Sequence, residues 1–401
     1  MFDDLIINDS FDIIKFLNKL NLDLFYNKPQ LKHLVAFILA MVIKGFNGKI
    51  ADVNELNSDK HRTTISRFLN KSSWNESLLL EEIKKYAIKR IWQLSRDTKQ
   101  PIYIILDDTV NEKTVPSSKA LNTIEGCSFH NSHLKRKTVY GHQFVTVMLR
   151  CGNLVLPYDI ILYEKERSSK IEIAQTVLKE LPNPVTKGYV LADSWYSCEA
   201  LFNASSKIGF EYLGALKSNR KIFPRGYKKD GIKISDFIKT LKQHELDLVT
   251  VNGKSYYTYT YLGKINGFKK VKIIMSWPKN ALWNKYALKC FISLDIELST
   301  KQILKHYLKR WPIETFFRET KRRLGFDKYQ IHTMKGIERY MYLIMLTYIY
   351  CELEIQGESL GFSKGLKKAR NQVKKLEITW IYSQASQGVQ LQDILKNRNV
   401  A

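Results

Sequence analysis

The chain is predicted to be an α/β protein: a mixed sheet flanked by helices, preceded by a helical N-terminal domain and interrupted by a β-strand insertion. Three observations lead there. Apolar residues recur at helical spacing through residues 1–97, short β-branched runs replace them after Gln100-Pro101, and two of those runs end in aspartates.

Composition bounds the function. A length of 401 residues allows two or three domains with a sizeable core. Lys+Arg 64 against Asp+Glu 39 gives a net charge of +25, which calls for a polyanionic partner, with nucleic acid first. The most apolar runs, 34–43 and 340–351, are far shorter than the roughly 20 residues a membrane span needs. Residues 1–8 carry two aspartates and no basic segment, so no signal peptide is expected. Cys127, Cys151, Cys198, Cys290 and Cys351 are scattered, odd in number and without a C-x-x-C pair, as in a reducing compartment. Cys127, His130 and His133 form a compact ligand-type cluster, but a fourth zinc ligand of the usual spacing is missing, because His142 falls inside a predicted strand.

The first 97 residues hold apolar helical runs at 13–17, 31–46 and 78–94. Between the second and third, Ser58-Asp59-Lys60-His61-Arg62-Thr63-Thr64-Ile65-Ser66-Arg67 sets hydroxyl and basic residues before an apolar edge. Two readings stand: a small helix offering its N-terminus, Arg62 and Arg67 to DNA phosphates, or an amphipathic helix capped by Ser58 or Asp59.

The core is expected in two parts, 98–216 and 299–355, around a mainly β insertion at 217–298, with a basic segment at 356–401. Ile102-Tyr103-Ile104-Ile105-Leu106 reads as a buried strand that stops abruptly at Asp107-Asp108-Thr109, where acids are costly unless a cation meets them. A basic, polar segment at 118–138 precedes strands at 140–150 and 154–163, joined by a turn at Cys151-Gly152-Asn153. A helix at 168–181 is closed by Pro182 and Pro184. The next strand, Gly188–Ala192, ends in Asp193-Ser194-Trp195-Tyr196. A fifth strand at 210–216 leads into Lys217, Arg220 and Lys221, which either track a DNA backbone or form a solvated basic loop. Turns at Asn252-Gly253 and Asn266-Gly267 mark the insertion, which reads as a separate β block.

The chemistry concentrates in residues 307–323, Y-L-K-R-W-P-I-E-T-F-F-R-E-T-K-R-R. On one helix at about 100° per residue, Tyr307, Glu314 and Lys321 step by about 20°, and Arg310 lies about 40° from Glu314. The four share a polar stripe, with Leu304, Leu308, Trp311 and Phe317 assigned to the buried side. Glu319, about 140° around from Glu314, faces elsewhere. At Pro312 the helix either kinks or restarts with the proline in its first turn; Glu314 and Lys321 stay in phase in both cases. Two strand-end aspartates and one helical glutamate supply hard oxygen ligands for two Mg²⁺ or Mn²⁺ ions about 4 Å apart, an arrangement suited to phosphoryl transfer.

The spacing Tyr307-x2-Arg310-x3-Glu314-x6-Lys321 resembles the Y-R-E-K signature of the DDE insertion-sequence transposases. Asp107-Asp108-Thr109 and Leu191-Ala192-Asp193-Ser194-Trp195-Tyr196 resemble that family's first two motifs, so the resemblance covers about residues 100–350. It implies an RNase H-like catalytic domain with its insertion between the second Asp and the Glu. Asp107, Asp193 and Glu314 would ligate the metals, while Tyr307, Arg310 and Lys321 would contact phosphates of the transposon ends. The implied reaction is hydrolysis at terminal inverted repeats to give a 3′-OH, which then attacks target DNA. The implied setting is a homodimeric synaptic complex on double-stranded DNA, cytoplasmic and nucleoid-associated in a prokaryote, without membrane attachment. Asp108 competes with Asp107 for the first ligand, and Asp107 fits the Asp-x-Thr register. Relatives that form hairpins hold a flipped base on an insertion-domain Trp; Trp277 and Trp283 qualify by region, against the alternative of ordinary strand or turn packing. Two other function classes remain in view. A DNA-binding regulator without catalysis would not need all three acids, and a nuclease that never joins strands would not need the Arg-Glu-Lys surroundings.

Overall fold

The computed structural model describes residues 11–44, 50–54, 61–121, 123–132, 135–353 and 361–397. The N-terminal block is helical: α1 (Phe11–Lys19), α2 (Leu22–Phe25), α3 (Lys28–Lys44), α4 (Ile50–Asn54), α5 (Arg62–Asn70) and α6 (Glu76–Thr98). In α3 nearly every residue from Leu34 to Val42 is buried, which is why that run is apolar all round rather than striped. The cap of α5 is His61, whose Nδ1 accepts the Thr63 N–H at 3.3 Å. The expected caps, Ser58 and Asp59, lie outside the described residues. Asn75 caps α6 by accepting the Leu78 N–H at 3.2 Å.

Among the described residues twelve strands follow: β1 (Ile102–Glu112), β2 (Ser128–Ser132), β3 (Lys137–Cys151), β4 (Leu154–Tyr163), β5 (Gly188–Ala192), β6 (Glu211–Leu216), β7 (Lys221–Ile222), β8 (Ile232–Lys233), β9 (Asp247–Val251), β10 (Lys254–Ile265), β11 (Phe268–Pro278) and β12 (Lys289–Ser293). They form one sheet in the order β2-β3-β1-β5-β6-β12-β11-β10-β7-β8, with β4 added on β3 and β9 on β10. β1, β5 and β6 are parallel to one another, whereas β3 is antiparallel to β1 and β12 to β6. Connections between the parallel strands run through α7 (Lys170–Glu180) and α8 (Glu199–Lys207). A short α9 (Ile234–Phe237) precedes β9, and the chain closes with α10 (Thr300–Tyr307), α11 (Pro312–Arg323), α12 (Met334–Glu352), α13 (Phe362–Ser386) and α14 (Leu391–Asn397). This is a mixed α/β fold, a large sheet flanked by helices with further helices at its N-terminal end.

Three expectations need correction. The strands beyond residue 217 are not a separate block, because β12 pairs with β6 through Cys290↔Leu216 to Ser293↔Leu213 and so continues the same sheet. β1 does not stop at Asp107 but runs to Glu112, because β3 keeps pairing with it as far as Glu112↔Gly141. Residues 128–132, expected in a polar connecting segment, form β2 on the outer end of β3, where pairing and not apolar alternation sustains the strand.

At the centre of the packing lies α12, which touches β4 as well as α3, α5, α6 and α13. Its buried Arg339 donates to the carbonyls of Phe68, Leu69, Ser72 and Trp74 at 2.7–3.0 Å and to Glu76 at 2.8 Å. That side chain ties the α5–α6 connection to the C-terminal helices. Among the described residues, no helix is long and apolar enough to cross a membrane.

Candidate active site

Strand register sets the first two acids together. Leu106 pairs with Ala192, the last residue of β5, so Asp107 and Asp193 are the next residues on neighbouring parallel strands. β5 stops there and β1 does not, which leaves Asp107 with a pairing partner on one side only. Asp193 uses one carboxylate oxygen to accept the N–H groups of Trp195, at 2.9 Å, and Tyr196, at 3.4 Å. This turn fixes its side chain at the strand end.

The third acid arrives from α11. After α10 the chain makes a 3₁₀ turn, Leu308–Arg310, and α11 restarts with Pro312 at its first position, where the missing N–H costs no helical hydrogen bond. Of the two alternatives for Pro312, the restart is the one adopted. Leu308 and Trp311 are 47% and 58% exposed, so they do not belong to the buried side expected for them. A 3₁₀ turn advances about 120° per residue instead of about 100°, which swings them outward. The buried positions are Ile303, Leu304, Ile313, Phe316 and Thr320, with Phe317 packed against the core. Glu319 pairs with Arg323 at 2.8 Å and accepts from Ser363, away from Glu314 as its helical angle predicts.

The polar stripe faces β1 and not solvent. Arg310 Nη1 donates to Asp107 Oδ2 at 2.7 Å while Nη2 donates to Glu314 Oε1, and the Tyr307 ring lies 5.9 Å from the guanidinium carbon. Lys321 Nζ donates to Thr109 Oγ1 at 2.7 Å and to the Val110 carbonyl at 3.1 Å. Burial lowers the Lys321 pKa, with Asp327 opposing. Burial raises the Asp107 carboxyl to about 6; Arg310 opposes that shift, and Asp193 and Asp108 add to it. Burial would depress the Arg310 guanidinium, but Asp107, Tyr307 and Glu314 outweigh it and raise its pKa.

Successive strand residues alternate sides, and Asp108 accordingly finds other partners. Lys170 Nζ lies 3.1 Å from Asp108 Oδ1, Tyr196 OH donates to the same oxygen at 3.2 Å, and the Gln143 amide donates to Oδ2. Lys170 also sits 4.4 Å from the centre of the Trp195 ring. Sequence reasoning missed Lys170, Gln143 and Tyr196 as partners of this acid, and nothing local in the sequence announces them. Asp107, Asp108, Asp193, Lys170, Trp195 and Lys217 border one cleft of about 820 Å³.

Other predicted residues lie outside that cleft. Arg220 donates to the Ser197 carbonyl at 2.8 Å, and Lys221 to that of Asp230 at 3.2 Å. Arg62 and Arg67 stand exposed on α5. Trp277 is fully buried in β11, the packing alternative, with exposed Trp283 edge-on to it at 5.4 Å. Cys127 Sγ lies 3.4 Å from His142 Nε2, but His142 is committed to the Glu125 carbonyl at 2.8 Å and the Tyr329 hydroxyl at 2.6 Å. His133 lies outside the described residues.

Asp107, Asp193 and Glu314 have the donor chemistry of a Mg²⁺ or Mn²⁺ site, hard carboxylate oxygens brought from three elements. Their arrangement departs from it. Among the described residues no three His, Cys, Asp or Glu side chains are gathered to hold a metal ion, and Arg310 spans Asp107 and Glu314.

A family model described as "Transposase DDE domain" matches residues 122–350, over half of the chain. No curated protein matches the sequence. Among solved structures, the cryo-EM structure of piggyBac transposase synaptic complex with hairpin DNA aligns with 99% of this chain and 84% of that chain, at 11% identity and a TM-score of 0.43.

Proposed function

Because this chain belongs to the transposase DDE domain family, we propose that it is an insertion-sequence transposase of the Y-R-E-K kind. It binds terminal inverted repeats, cleaves the element's ends by divalent-metal-dependent hydrolysis and joins the 3′-OH to target DNA. The observation that carries this reading is the β1–β5 register, which makes Asp107 and Asp193 neighbours beneath a helix whose Glu314 is joined to Asp107 through Arg310.

Asp107, and not Asp108, is the first catalytic acid in this reading, because Asp107 shares Arg310 with Glu314 whereas Asp108 turns to Lys170, Tyr196 and Gln143. Asp107, Asp193 and Glu314 would hold Mg²⁺ or Mn²⁺, two ions in the full complex, which when bound neutralise charge at the scissile phosphate and acidify the attacking hydroxyl. The chain's own residues position and neutralise. The Trp195 and Tyr196 N–H groups hold one oxygen of Asp193, leaving the other as the ligand atom. Arg310 presents a planar fork that matches two phosphate oxygens, and Tyr307 backs it. Lys321 holds the outgoing end of β1 and reaches phosphate only by exchanging its Thr109 and Val110 contacts. Lys217 in the cleft, with Arg220, Arg62 and Arg67 beyond it, tracks the DNA backbone, and the net charge of +25 makes binding fall steeply with salt. The working form is a homodimer joining two ends, acting on the nucleoid in a prokaryotic cytoplasm.

The test is to incubate the purified chain with Mg²⁺ and linear DNA carrying the element's inverted repeats, and to map 3′ ends at single-nucleotide resolution. Cleavage at the repeat boundary followed by joined products is expected. End binding without any cleavage would leave a DNA-binding regulator, and cleavage without joining a nuclease.

A further inference from the structure

A single guanidinium occupies the space between two of the acids proposed to bind metal. Arg310 is bonded to Asp107 Oδ2 at 2.7 Å and to Glu314 Oε1, and the Arg310 and Asp107 side chains are only 12% and 19% exposed. A carboxylate buried beside Asp193 and Asp108 is costly without a cation, and in the free protein Arg310 is that cation. The same contact opposes a metal ion. A dication at these oxygens repels the guanidinium beside it, and the two cations cannot both fill the gap between Asp107 and Glu314.

We propose that Arg310 is a built-in competitor for the divalent ions: metal binds at Asp107 and Glu314 only as the guanidinium leaves, and a DNA phosphate draws the guanidinium away. Metal and DNA then strengthen each other's binding, and by linkage the effect is equal in both directions. The inference rests on the reading of these acids as metal ligands. Arg310's position suits the exchange. It is the last residue of the 3₁₀ turn, ahead of the restart at Pro312, so its side chain can swing without disturbing a continuous α-helix. Its five N–H donors, once freed, suit phosphate as well as they suit carboxylate.

The experiment measures Mn²⁺ binding to the full chain without DNA, from the signal of free Mn²⁺ in electron paramagnetic resonance. Arg310→Ala is expected to bind Mn²⁺ more tightly than wild type, by on the order of tenfold. A purely structural arginine would move the affinity the other way. Arg318→Ala, which removes an exposed cation paired with Glu319, is expected to leave Mn²⁺ affinity unchanged and controls for overall charge. Equal or weaker binding by Arg310→Ala, while Asp193→Asn still weakens binding, overturns the competition and leaves the ligand assignment standing. If Asp193→Asn changes Mn²⁺ binding in neither background, the ions sit elsewhere, and both the ligand assignment and this inference fall. Adding a short DNA duplex of arbitrary sequence is expected, once the duplex's own Mn²⁺ uptake is subtracted, to tighten Mn²⁺ binding more in wild type than in Arg310→Ala; equal tightening in the two overturns the coupling. Should circular dichroism show Arg310→Ala unfolded, Arg310→Gln, uncharged and still able to donate to Asp107, takes its place with the same expected direction.

Discussion

Arg339→Met removes the tie between the N-terminal helices and α12, and its cost can be worked from the contacts. The guanidinium is fully buried, 4.5 Å from the centre of the Trp74 ring, and is shared by four carbonyls and Glu76. Two of those carbonyls, Phe68 and Leu69, belong to the last turn of α5, whose C=O groups have no partner within the helix; Phe68 also accepts the Trp74 indole N–H at 2.7 Å and keeps that bond in the variant. Methionine fills much of the volume but donates nothing. Each buried acceptor left without a partner costs about 1–3 kcal/mol. The losses do not add, because all the acceptors lie in one short stretch that relaxes together and admits water. The relevant comparison is the removal of one partner from a buried charge pair, so the expected loss is about 3–5 kcal/mol. Urea unfolding followed by circular dichroism reads it, with Arg339→Lys beside it; lysine keeps the charge but lacks the fork and is expected to recover only part. A loss below about 1 kcal/mol, the range of an exposed ion pair, would show that Arg339 does not hold the two parts together.

Two predictions concern pH. Asp107 is raised to about 6 in the metal-free chain, first by burial, and the ionised form is the proposed ligand, so Mn²⁺ binding to the free chain should weaken as pH drops through about 6. Mn²⁺ affinity unchanged down to about 4, where an ordinary aspartate titrates, would contradict it. The stability sign is opposite: with its folded value above the unfolded one, Asp107 favours the folded state at low pH and loses that contribution as pH rises through about 6. His142 behaves the other way. Burial holds its pKa down to about 4, with the Glu125 carbonyl opposing, so its contribution is complete above about 6.5 and is lost as pH falls toward 4, of order 3 kcal/mol in all. The acid-side loss of thermal stability should therefore be shallower in His142→Gln than in wild type, and an identical loss would remove His142 as its source.

Local pattern carried the sequence reading as far as local causes reach. The buried runs at Ile102–Leu106 and Gly188–Ala192 are legible because parallel strands covered on both faces must be continuously apolar. The extension of β1 through Asp107-Asp108-Thr109-Val110-Asn111-Glu112 was not, since a polar stretch stays a strand there only because β3 lies beside it. The merging of β12 into the core sheet depends on pairing across more than 70 residues, which no short window contains. Arg310 and Glu314 are four residues apart, and that spacing foretells their contact. The Asp107–Arg310 and Asp108–Lys170 pairs join distant segments and leave no local trace. Leu308 and Trp311 were misplaced because a uniform 100° step cannot represent the 3₁₀ turn before Pro312.

In the proposed mechanism Asp107, Asp193 and Glu314 perform the chemistry while Asp108 holds Lys170, Tyr196 and Gln143. Single-turnover cleavage of an inverted-repeat end in Mg²⁺ tests it most directly, with Asp107→Asn, Asp193→Asn, Glu314→Gln and Asp108→Asn run side by side at equal end occupancy. Cleavage is expected to fall by a factor on the order of 10³ or more in the first three and far less in Asp108→Asn. Full loss in Asp108→Asn with activity retained in Asp107→Asn would contradict it.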